Sequence, residues 1–295
     1  GYHARKNQEI MKLAVVGVGL IGGSWAKALR EHALVTEVLG VDRSEQHLEQ
    51  AMKLGIIDRA VDYNQLAEAD LVFVSIPVDQ LVLELPKILD AVGPTTLVMD
   101  AGSTKLAICA SVAEHPKRAH FLAAHPIAGT EFSGPNAAID DLYKGKLAIV
   151  CEIEKTAIDL QERAMNAFAA LGMRVRYMGA KEHDVHVAYV SHLSHISAFM
   201  LGKTVMGKEK DDRTIFDLAG SGFASTVRLA KSSPQMWAPI FVQNKEPLLE
   251  TLEAFIEHLI AFKDLIENED TQGLTEEMKR INSIEKILNP LPLKP

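Results

Sequence analysis

Cysteine, basic charge and long apolar runs are all scarce in this sequence, and each shortage excludes a class of protein. Only two cysteines, Cys109 and Cys151, occur in 295 residues, and they form no metal or redox spacing. Both lie in apolar runs, so we expect buried, reduced thiols in a cytoplasmic protein. Acidic residues outnumber basic ones by 39 to 31, which argues against a nucleic-acid partner. No apolar stretch reaches the ~18 residues of a membrane span, so no membrane partner is expected.

The composition is that of a globular protein, with 47% of residues hydrophobic and 24% charged. The opening stretch, GYHARKNQEI, lacks the apolar core of a signal peptide and is interpreted as a short extension before Met11. The Pro-rich end, LNPLPLKP, is expected to be an unstructured tail.

Short apolar runs alternate with helix-like stretches over the first 179 residues. Seven runs are predicted as strands: LAVVGV, EVLGVD, LVFVSIP, TLVMDA, HFLAAHP, KLAIVCE and RVRYM. Apolar strands separated by helices predict a parallel sheet that is covered on both faces. After Gly179 the pattern is helical to the end. We therefore predict an α/β domain over residues 11–179 and an all-α domain over residues 180–295.

The segment VVGVGLIGGS lies between the first predicted strand and a predicted helix, and it contains a GxGxxG motif. The motif allows a tight turn, a close approach of the backbone to a pyrophosphate, and close packing of helix on strand. The phosphates would meet free N–H groups at the start of the helix. This predicts a Rossmann-type domain whose cofactor-binding residues include Gly17, Gly19, Leu20, Ile21 and Gly22.

The choice of dinucleotide depends on the end of the second predicted strand. Asp42 lies 20 residues after Gly22, where an acid should hold the ribose hydroxyls, so NAD is favoured. Arg43 could stack on adenine or meet a 2′-phosphate. Ser75 and Pro77 end a later strand and should line the same cleft. The alternative, a glycine-rich turn of another α/β protein, is weaker because strand, helix and acid are all correctly placed.

Two further strand ends carry candidate catalytic residues. His125, in AAHPIAGTEFSG, either caps a turn or handles the proton of an active site. Ser103, in MDAGSTK, would lie near the nicotinamide of a bound cofactor, although by itself it is most simply a helix N-cap. Because neighbouring parallel strands end at one edge of the sheet, both side chains should enter one crevice.

The stretch EHDVHVAYVSHLSHISAFM is predicted as a helix. Four of its residues follow α-helical spacing and should share one face: Asp184, Ala188, Ser191 and His195. Its four histidines at 183, 186, 192 and 195 raise zinc as an alternative. We favour no metal, because neither an HExxH motif nor a cysteine partner accompanies them.

A later stretch, GSGFASTVRLAKSSPQMW, opens a predicted helix with two glycines and carries Arg228. A lone arginine on a helix is usually solvated or ion-paired. Trp237, at its end, is by default a core residue.

Together, GVGLIGGS, DAGSTK, HPIAGTE, DLYKGK, HDxxxAYVSHLSH and GFASTVRLAKSSPQMW resemble the prephenate/arogenate dehydrogenases of tyrosine biosynthesis. The resemblance covers the chain from Met11 to about Asn289. It implies an NAD-dependent oxidative decarboxylation, most similar to that of a monofunctional prephenate dehydrogenase, in which hydride leaves a cyclohexadiene for NAD, the ring carboxylate leaves as CO2, and a phenol forms.

The resemblance also implies roles for individual residues. His125 takes the proton of the ring hydroxyl, and Ser103 orients His125 and that hydroxyl. Arg228 binds a substrate carboxylate and pairs with Glu131 when the site is empty. The substrate-binding residues are then Arg228, His195, Ser191, Glu131, Asp184 and Trp237.

The segment EPLLETLEAFIEHLIAFKDLIENED carries an apolar seam of period 3.5. The seam comprises Leu248, Leu252, Phe255, Leu259, Phe262 and Ile266, and Leu249, Ile256 and Ile260 form a second stripe. A helix that is apolar on two sides needs more than one neighbour. The pattern is consistent with the homodimer that the resemblance implies, built from the C-terminal helices.

Several alternatives remain open from the sequence. Dehydrogenases of the β-hydroxyacid type use a lysine as proton carrier, and a non-catalytic NAD sensor would not need Ser103, His125 and Arg228 together. Prephenate is favoured over arogenate because a histidine at 195 can donate to a keto oxygen and is a poor neighbour for an ammonium, although Asp184 or Glu131 could reach it. Tyrosine is a candidate feedback inhibitor.

Overall fold

A mostly parallel sheet organises the first part of the computed structural model, which describes residues 10–212 and 214–288. Within these residues eight strands pair in the order β3-β2-β1-β4-β5-β6-β7-β8. Their bounds are β1 Met11–Val16, β2 Val35–Val41, β3 Arg59–Ala60, β4 Leu71–Val74, β5 Leu97–Asp100, β6 Phe121–Ile127, β7 Leu147–Cys151 and β8 Arg174–Tyr177. The seven predicted strands are present, and the two-residue β3 was too short to be predicted.

Helices connect the strands and form the rest of the chain. Those of the sheet region are α1 Leu20–Glu31, α2 Glu45–Lys53, α3 Val78–Ala91, α4 Leu106–Ser111 and α5 Ile158–Ala170. The later ones are α6 Ala180–Val187, α7 Leu193–Glu209, α8 Ser221–Thr226, α9 Pro234–Gln243, α10 Lys245–Glu267, α11 Thr271–Ile281 and α12 Ile284–Leu288. A π-helical turn, Ala188–His192, joins α6 to α7.

The first six strands are parallel and have the order of a dinucleotide-binding fold. The predicted parallel sheet is confirmed over these strands, but β7 departs from it and runs antiparallel to β6. A parallel neighbour requires a crossover connection, usually a helix. The described segment 128–146 contains only a short 3-10 turn at Pro135–Ala137, so the chain turns back beside β6.

Apolar side chains cover both faces of the sheet, as the continuous apolar strands predict. Along β1, Leu13 and Val15 join one buried cluster, and the alternate residues join the other. Trp25 of α1 stacks on Phe73 of β4, with ring centroids 4.4 Å apart. This packing fixes α1, and with it the loop before α1, against the sheet.

The helical part begins as the sequence indicates, since β8 ends at Tyr177 and α6 starts at Ala180. By compactness, however, the chain divides within α10, into residues up to Leu248 and residues from Leu249 onward. A domain boundary at residues 179–180 therefore stays a prediction. Within the described part of the chain, no helix has both the length and the hydrophobicity to cross a lipid bilayer. The predicted terminal extension up to residue 9 and the tail over residues 289–295 lie outside the described residues.

Candidate active site

Glycines 17 and 22 of the loop between β1 and α1 are required by close packing. Gly17 has a φ of +94°, and a Cβ there would lie 2.4 Å from the carbonyl oxygen of Ser75. A Cβ on Gly22 would lie 2.1 Å from the carbonyl oxygen of Gly17. Gly19 differs, because the nearest atom to its hypothetical Cβ is 4.0 Å away, at Gly134. The middle glycine thus faces open space, where a ligand can approach the backbone.

The same loop leads directly into α1. Gly19 is the N-cap, and no side chain caps the helix, so its first N–H groups are available to an anion. Leu20 is buried, and Ile21 accepts a hydrogen bond through its carbonyl oxygen from the hydroxyl of Tyr143 at 2.5 Å. The residues present therefore fit a pyrophosphate at this helix start.

Asp42 ties the end of β2 to this loop. Its carboxylate accepts the backbone N–H of Val18 at 3.0 Å and that of Ser44 at 2.9 Å. An open cleft of about 480 Å³ adjoins it and is lined by Val41, Asp42, Val61, Asp62, Tyr63 and Asn64. This volume is within the range of ligand sites, and its position suits the adenosine end of a dinucleotide.

The neighbouring Arg43 already forms an ion pair. Its guanidinium lies 3.3 Å from the carboxylate of Glu84, which also accepts the hydroxyl of Tyr63 at 2.9 Å. Ser75 donates its hydroxyl to the carbonyl oxygen of Gly17 at 2.8 Å, so it braces the loop. Pro77 is the residue before α3 and acts as its N-cap.

His125 lies within β6 and is 8% exposed. The adjacent Ala124 donates its N–H to Asp100 at 2.9 Å, and Asp100 forms a fully buried ion pair with Lys105. Buried charges are retained only when they are paired and hydrogen-bonded. This arrangement fixes the backbone on which His125 is carried.

A chain of hydrogen bonds leads from His125 into the helical part. Its Nδ1 lies 2.7 Å from Nε2 of His183, and Nδ1 of His183 lies 2.8 Å from the carboxylate of Asp184. Sequence reasoning treated His183 only as a metal candidate. The adjacent acid was a signal, but nothing in the sequence pointed the pair at His125.

Asp184 has contacts other than those predicted for it. One carboxylate oxygen accepts the N–H of Lys105 at 2.7 Å and the other accepts that of Leu106 at 3.0 Å. Asp184 therefore caps the start of α4 as well as holding His183. It is 4% exposed, so its contacts favour a supporting role over direct contact with a substrate.

Nδ1 of His125 is occupied by His183, which leaves only Nε2 for Ser103, so the expectation that Ser103 orients His125 stays a prediction. Ser103 lies in the turn between β5 and α4 and is partly exposed. Its predicted contact with a ligand hydroxyl or nicotinamide remains a prediction.

Burial lowers the pKa of His125 well below its ordinary value, and the nearby His183 and Lys105 act in the same direction. Burial also lowers the pKa of His183 and brings that of His192 to about 4. These rings are therefore neutral at physiological pH, and a neutral imidazole can accept a proton.

Arg228 and Glu131 form an ion pair with the closest nitrogen and oxygen 3.2 Å apart. Arg228 begins a 3-10 turn after α8 instead of lying within that predicted helix, and its side chain is 51% exposed. The pKa of Glu131 is lowered by its own backbone N–H and by Arg228. An exposed guanidinium held by one carboxylate can exchange that partner for a carboxylate of a ligand.

His195 is buried and stacks on Trp237, with ring centroids 3.4 Å apart and planes at 20°. Its Nδ1 lies 2.9 Å from the backbone carbonyl of Ser191, so Nδ1 carries the hydrogen and Nε2 of the neutral ring is an acceptor. Burial lowers the pKa of His195. This tautomer does not support the expectation that His195 donates to a keto oxygen.

The predicted helix is present but is not α-helical throughout, because a π turn occupies Ala188–His192. A π turn lengthens the repeat by about one residue, so α-helical spacing across it does not define a face. Asp184 and Ala188 are buried, whereas Ser191 is partly exposed. In the described ranges no three His, Cys, Asp or Glu side chains are grouped as metal ligands, and His186 is exposed while His183 and His192 are buried.

A six-strand parallel order, a glycine loop that opens a helix and an acid after β2 define a dinucleotide-binding oxidoreductase of the Rossmann type. Comparison with known proteins specifies the family. Residues 25–177 match the domain described as "Prephenate dehydrogenase, nucleotide-binding domain", and residues 179–280 match "Prephenate dehydrogenase, dimerization domain".

Relatives that match over most of the chain belong to the same family. A cyclohexadienyl dehydrogenase of Zymomonas mobilis is 30% identical over 270 residues, which cover 90% of this chain and 92% of the relative. A prephenate dehydrogenase of Bacillus subtilis is 30% identical over 272 residues, covering 91% and 73%. The solved structure of A. aeolicus prephenate dehydrogenase with hydroxyphenyl propionate and NAD+ is 31% identical, has a TM-score of 0.84, and covers 96% of this chain and 100% of that one. The chain belongs to the prephenate dehydrogenase family.

Proposed function

We propose that the protein catalyses the NAD-dependent oxidative decarboxylation of prephenate to 4-hydroxyphenylpyruvate. The observation that carries this proposal is His125, a buried and neutral imidazole whose Nδ1 is already occupied. Its Nε2 is then the nitrogen that can accept a proton. The A. aeolicus relative supports the substrate class, since its structure holds a phenol with a carboxylate side chain.

In this mechanism Nε2 of His125 accepts the proton of the ring hydroxyl as the carbinol C–H bond breaks. NAD, when bound, would accept the hydride that leaves this carbon. The ring C–C bond to the carboxylate then breaks, CO2 leaves, and the electron pair of that bond completes the aromatic ring, while the ring oxygen regains the proton from His125 to give the phenol. Aromatisation drives this loss, so the protein contributes mainly orientation and one proton acceptor.

Cofactor binding is assigned to the glycine loop and Asp42. The free N–H groups at the start of α1 would hold the pyrophosphate, and Asp42 would accept the ribose hydroxyls with the lone pairs that Val18 and Ser44 leave available. Ser103 is assigned to the nicotinamide end.

Arg228 is assigned to a carboxylate of the substrate. A planar guanidinium can bind a carboxylate through two parallel hydrogen bonds. The guanidinium of Arg228 already pairs with one carboxylate, that of Glu131, at a partly exposed position. Ser191, His195 and Trp237 would line the side-chain end.

Arogenate is the second candidate substrate, and one observation favours it. Nε2 of the neutral His195 is an acceptor, which suits an ammonium better than a keto oxygen. Against it, Asp184, one of the two carboxylates considered for an ammonium, is buried and engaged with backbone N–H groups, and the Bacillus subtilis relative is a prephenate dehydrogenase. We therefore retain prephenate as the proposed substrate.

One assay tests both candidates. The purified protein is supplied with NAD and either prephenate or arogenate, and NADH formation is followed by absorbance. We expect a higher kcat/KM with prephenate. A tenfold preference for arogenate would make arogenate the substrate in place of prephenate. If neither compound gives NADH, the proposed activity is refuted.

We also propose a homodimer that forms through the C-terminal helices. The family match to a dimerisation domain supports it, as do apolar residues of α10 and α11 that are about half exposed in the single chain: Leu259, Ile260, Ile266, Met278 and Ile281. Sedimentation of the purified protein measures its oligomeric state.

The free, buried cysteines support a cytoplasmic location. Tyrosine, which shares the phenol of the product, is a candidate inhibitor.

A further inference from the structure

The chain of hydrogen bonds behind His125 has a direction that elementary chemistry determines. Asp184 accepts two backbone N–H groups, those of Lys105 and Leu106. A backbone N–H can only donate and a carboxylate can only accept, so Asp184 is an acceptor in these contacts. The Nδ1 of His183, 2.8 Å away, must therefore carry a hydrogen and donate it.

The next bond follows from this one. The pKa of His183 is lowered by burial, so its ring is neutral and carries only one N–H. Because that hydrogen is on Nδ1, its Nε2 has a free lone pair. The Nδ1 of His125 lies 2.7 Å from this nitrogen and must donate to it. A neutral His125 consequently has its hydrogen on Nδ1 and its lone pair on Nε2.

We propose that His183, held by Asp184, is a positioning residue that keeps His125 in the tautomer able to accept a proton at Nε2. The proposal rests on the proposed function, in which Nε2 of His125 receives the proton of the substrate hydroxyl. His183 touches neither substrate nor cofactor in this scheme. It acts through the hydrogen bond to His125 and through the orientation of that ring, since the two rings lie at 77° with centroids 4.9 Å apart.

The rest of the fold supports this arrangement. Asn244, directly after α9, donates from its side chain to the backbone carbonyl of Asp184 at 2.9 Å. The backbone around the His183–Asp184 pair is thus fixed from α9 and from the start of α4. When His125 becomes an imidazolium, its Nδ1–H still meets the lone pair of His183, so the same contact also stabilises the protonated ring.

The first experiment measures the tautomer directly in the full-length protein. With ¹⁵N-labelled histidine, the imidazole nitrogen shifts of His125, assigned by comparison with His125→Asn, report which nitrogen carries the hydrogen. We expect hydrogen on Nδ1 and a bare Nε2 at neutral pH. A His125 with its hydrogen on Nε2 would overturn the proposal.

The second experiment compares three variants. His183→Leu removes the acceptor, so His125 should populate both tautomers, and kcat should fall roughly 10–100-fold, the range for groups that orient a functional histidine. KM for NAD should not change. His183→Gln offers an amide oxygen to Nδ1 of His125 and should recover most of the loss, while His186→Gln, an exposed histidine on the same helix, should leave kcat as it is.

A His183→Leu variant with native kcat, or a His183→Gln variant that is no better than His183→Leu, would overturn the proposal. If His183→Leu does not fold, the tautomer in the native protein and the recovery by His183→Gln still decide it. The tautomer is measured without substrate, so its failure is distinguishable from that of the proposed function. A native protein with the expected tautomer and no turnover of prephenate or arogenate would refute the function alone.

Discussion

The cofactor loop (residues 17–22) and the histidine cluster (His125, His183 and His192) are stabilised in different ways. The loop is shaped by backbone geometry: Gly17 and Gly22 fit where a Cβ cannot, and no side chain caps the N–H groups at the start of α1. The cluster consists of buried side chains: His125 and His183 share a hydrogen bond, and His192 contacts the side chain of Asn244, which also donates to the backbone carbonyl of Asp184. The loop needs particular backbone angles over six residues, whereas the cluster needs distant segments to meet.

This difference predicts two kinds of response to mutation. Changes in the cluster should alter proton transfer and acid stability while leaving cofactor affinity unchanged. Changes at the loop should alter cofactor affinity and choice while leaving proton transfer unchanged. His125→Asn and the acid dependence of His192 test the cluster, Asp42→Ala tests the cofactor site beside the loop, and Arg228→Ala tests a third region, the contact with the substrate carboxylate. The expected effects run from the largest to the smallest.

His125→Asn keeps a polar side chain but removes the base. We expect kcat to fall by about 10²–10⁴-fold, the usual range for general-base catalysis, with little change in the Kd of NAD. Steady-state kinetics and calorimetric titration with NAD measure the two quantities. A near-native kcat would mean that His125 only caps the turn after β6. A loss of NAD affinity as large as the loss of kcat would show that the loop and the cluster do not act separately.

The cluster should also make the fold sensitive to acid. The pKa of His192 is about 4 because burial disfavours its charged form. As pH falls below about 6.5 the unfolded chain takes up a proton that the folded ring does not. The free energy of unfolding should therefore fall with pH between about 6.5 and 4, by at most about 3 kcal/mol from this residue.

Tm measured from pH 7.5 to 4.5 tests that window. In His192→Asn, which keeps an acceptor near the side chain of Asn244, the dependence on pH should be shallower. His186→Gln, at an exposed position, is the matched control. The same pH dependence in all three proteins would show that the His192 ring does not resist protonation.

Arg228→Ala removes the proposed contact with a substrate carboxylate, which is worth roughly 1.5–3 kcal/mol. If the contact stabilises the bound substrate and the transition state equally, KM for prephenate should rise about 10- to 100-fold and kcat should change little. Arg228→Lys should recover only part of this, because an ammonium cannot bind a carboxylate in the same planar manner. An unchanged KM would assign Arg228 to the surface pair with Glu131 alone.

Asp42→Ala should have the smallest effect and should be confined to the cofactor. Loss of one acceptor for the ribose costs about 0.5–1.5 kcal/mol, so KM for NAD should rise roughly 2- to 12-fold while the penalty against NADP shrinks. Arg43→Ala in the same background tests whether Arg43, now paired with Glu84, supplies the affinity for NADP. A native protein that already prefers NADP would contradict the role given to Asp42.

Short-range spacing in the sequence was sufficient for much of this molecule. The glycine motif, α1 and the acid after β2 form one strand–turn–helix–strand unit, so spacing alone predicts which backbone groups face a cofactor. Apolar runs likewise predicted most of the longer strands, because a strand that is covered on both faces must be apolar throughout; β8, with the sequence RVRY, is an exposed edge strand. The family resemblance depends on motifs that are short and contiguous in the same way.

Only the tertiary structure determined the contacts between distant segments. His125 and His183 are 58 residues apart, and their contact depends on α6 packing its Asp184 against the start of α4. The π turn after α6 displaces the residues that follow it, which residue spacing does not reveal. The direction of β7 depends on the connection from β6. Sequence spacing fixes local geometry because few bonds separate the groups, whereas hydrogen-bond partners in a buried cluster are chosen by packing.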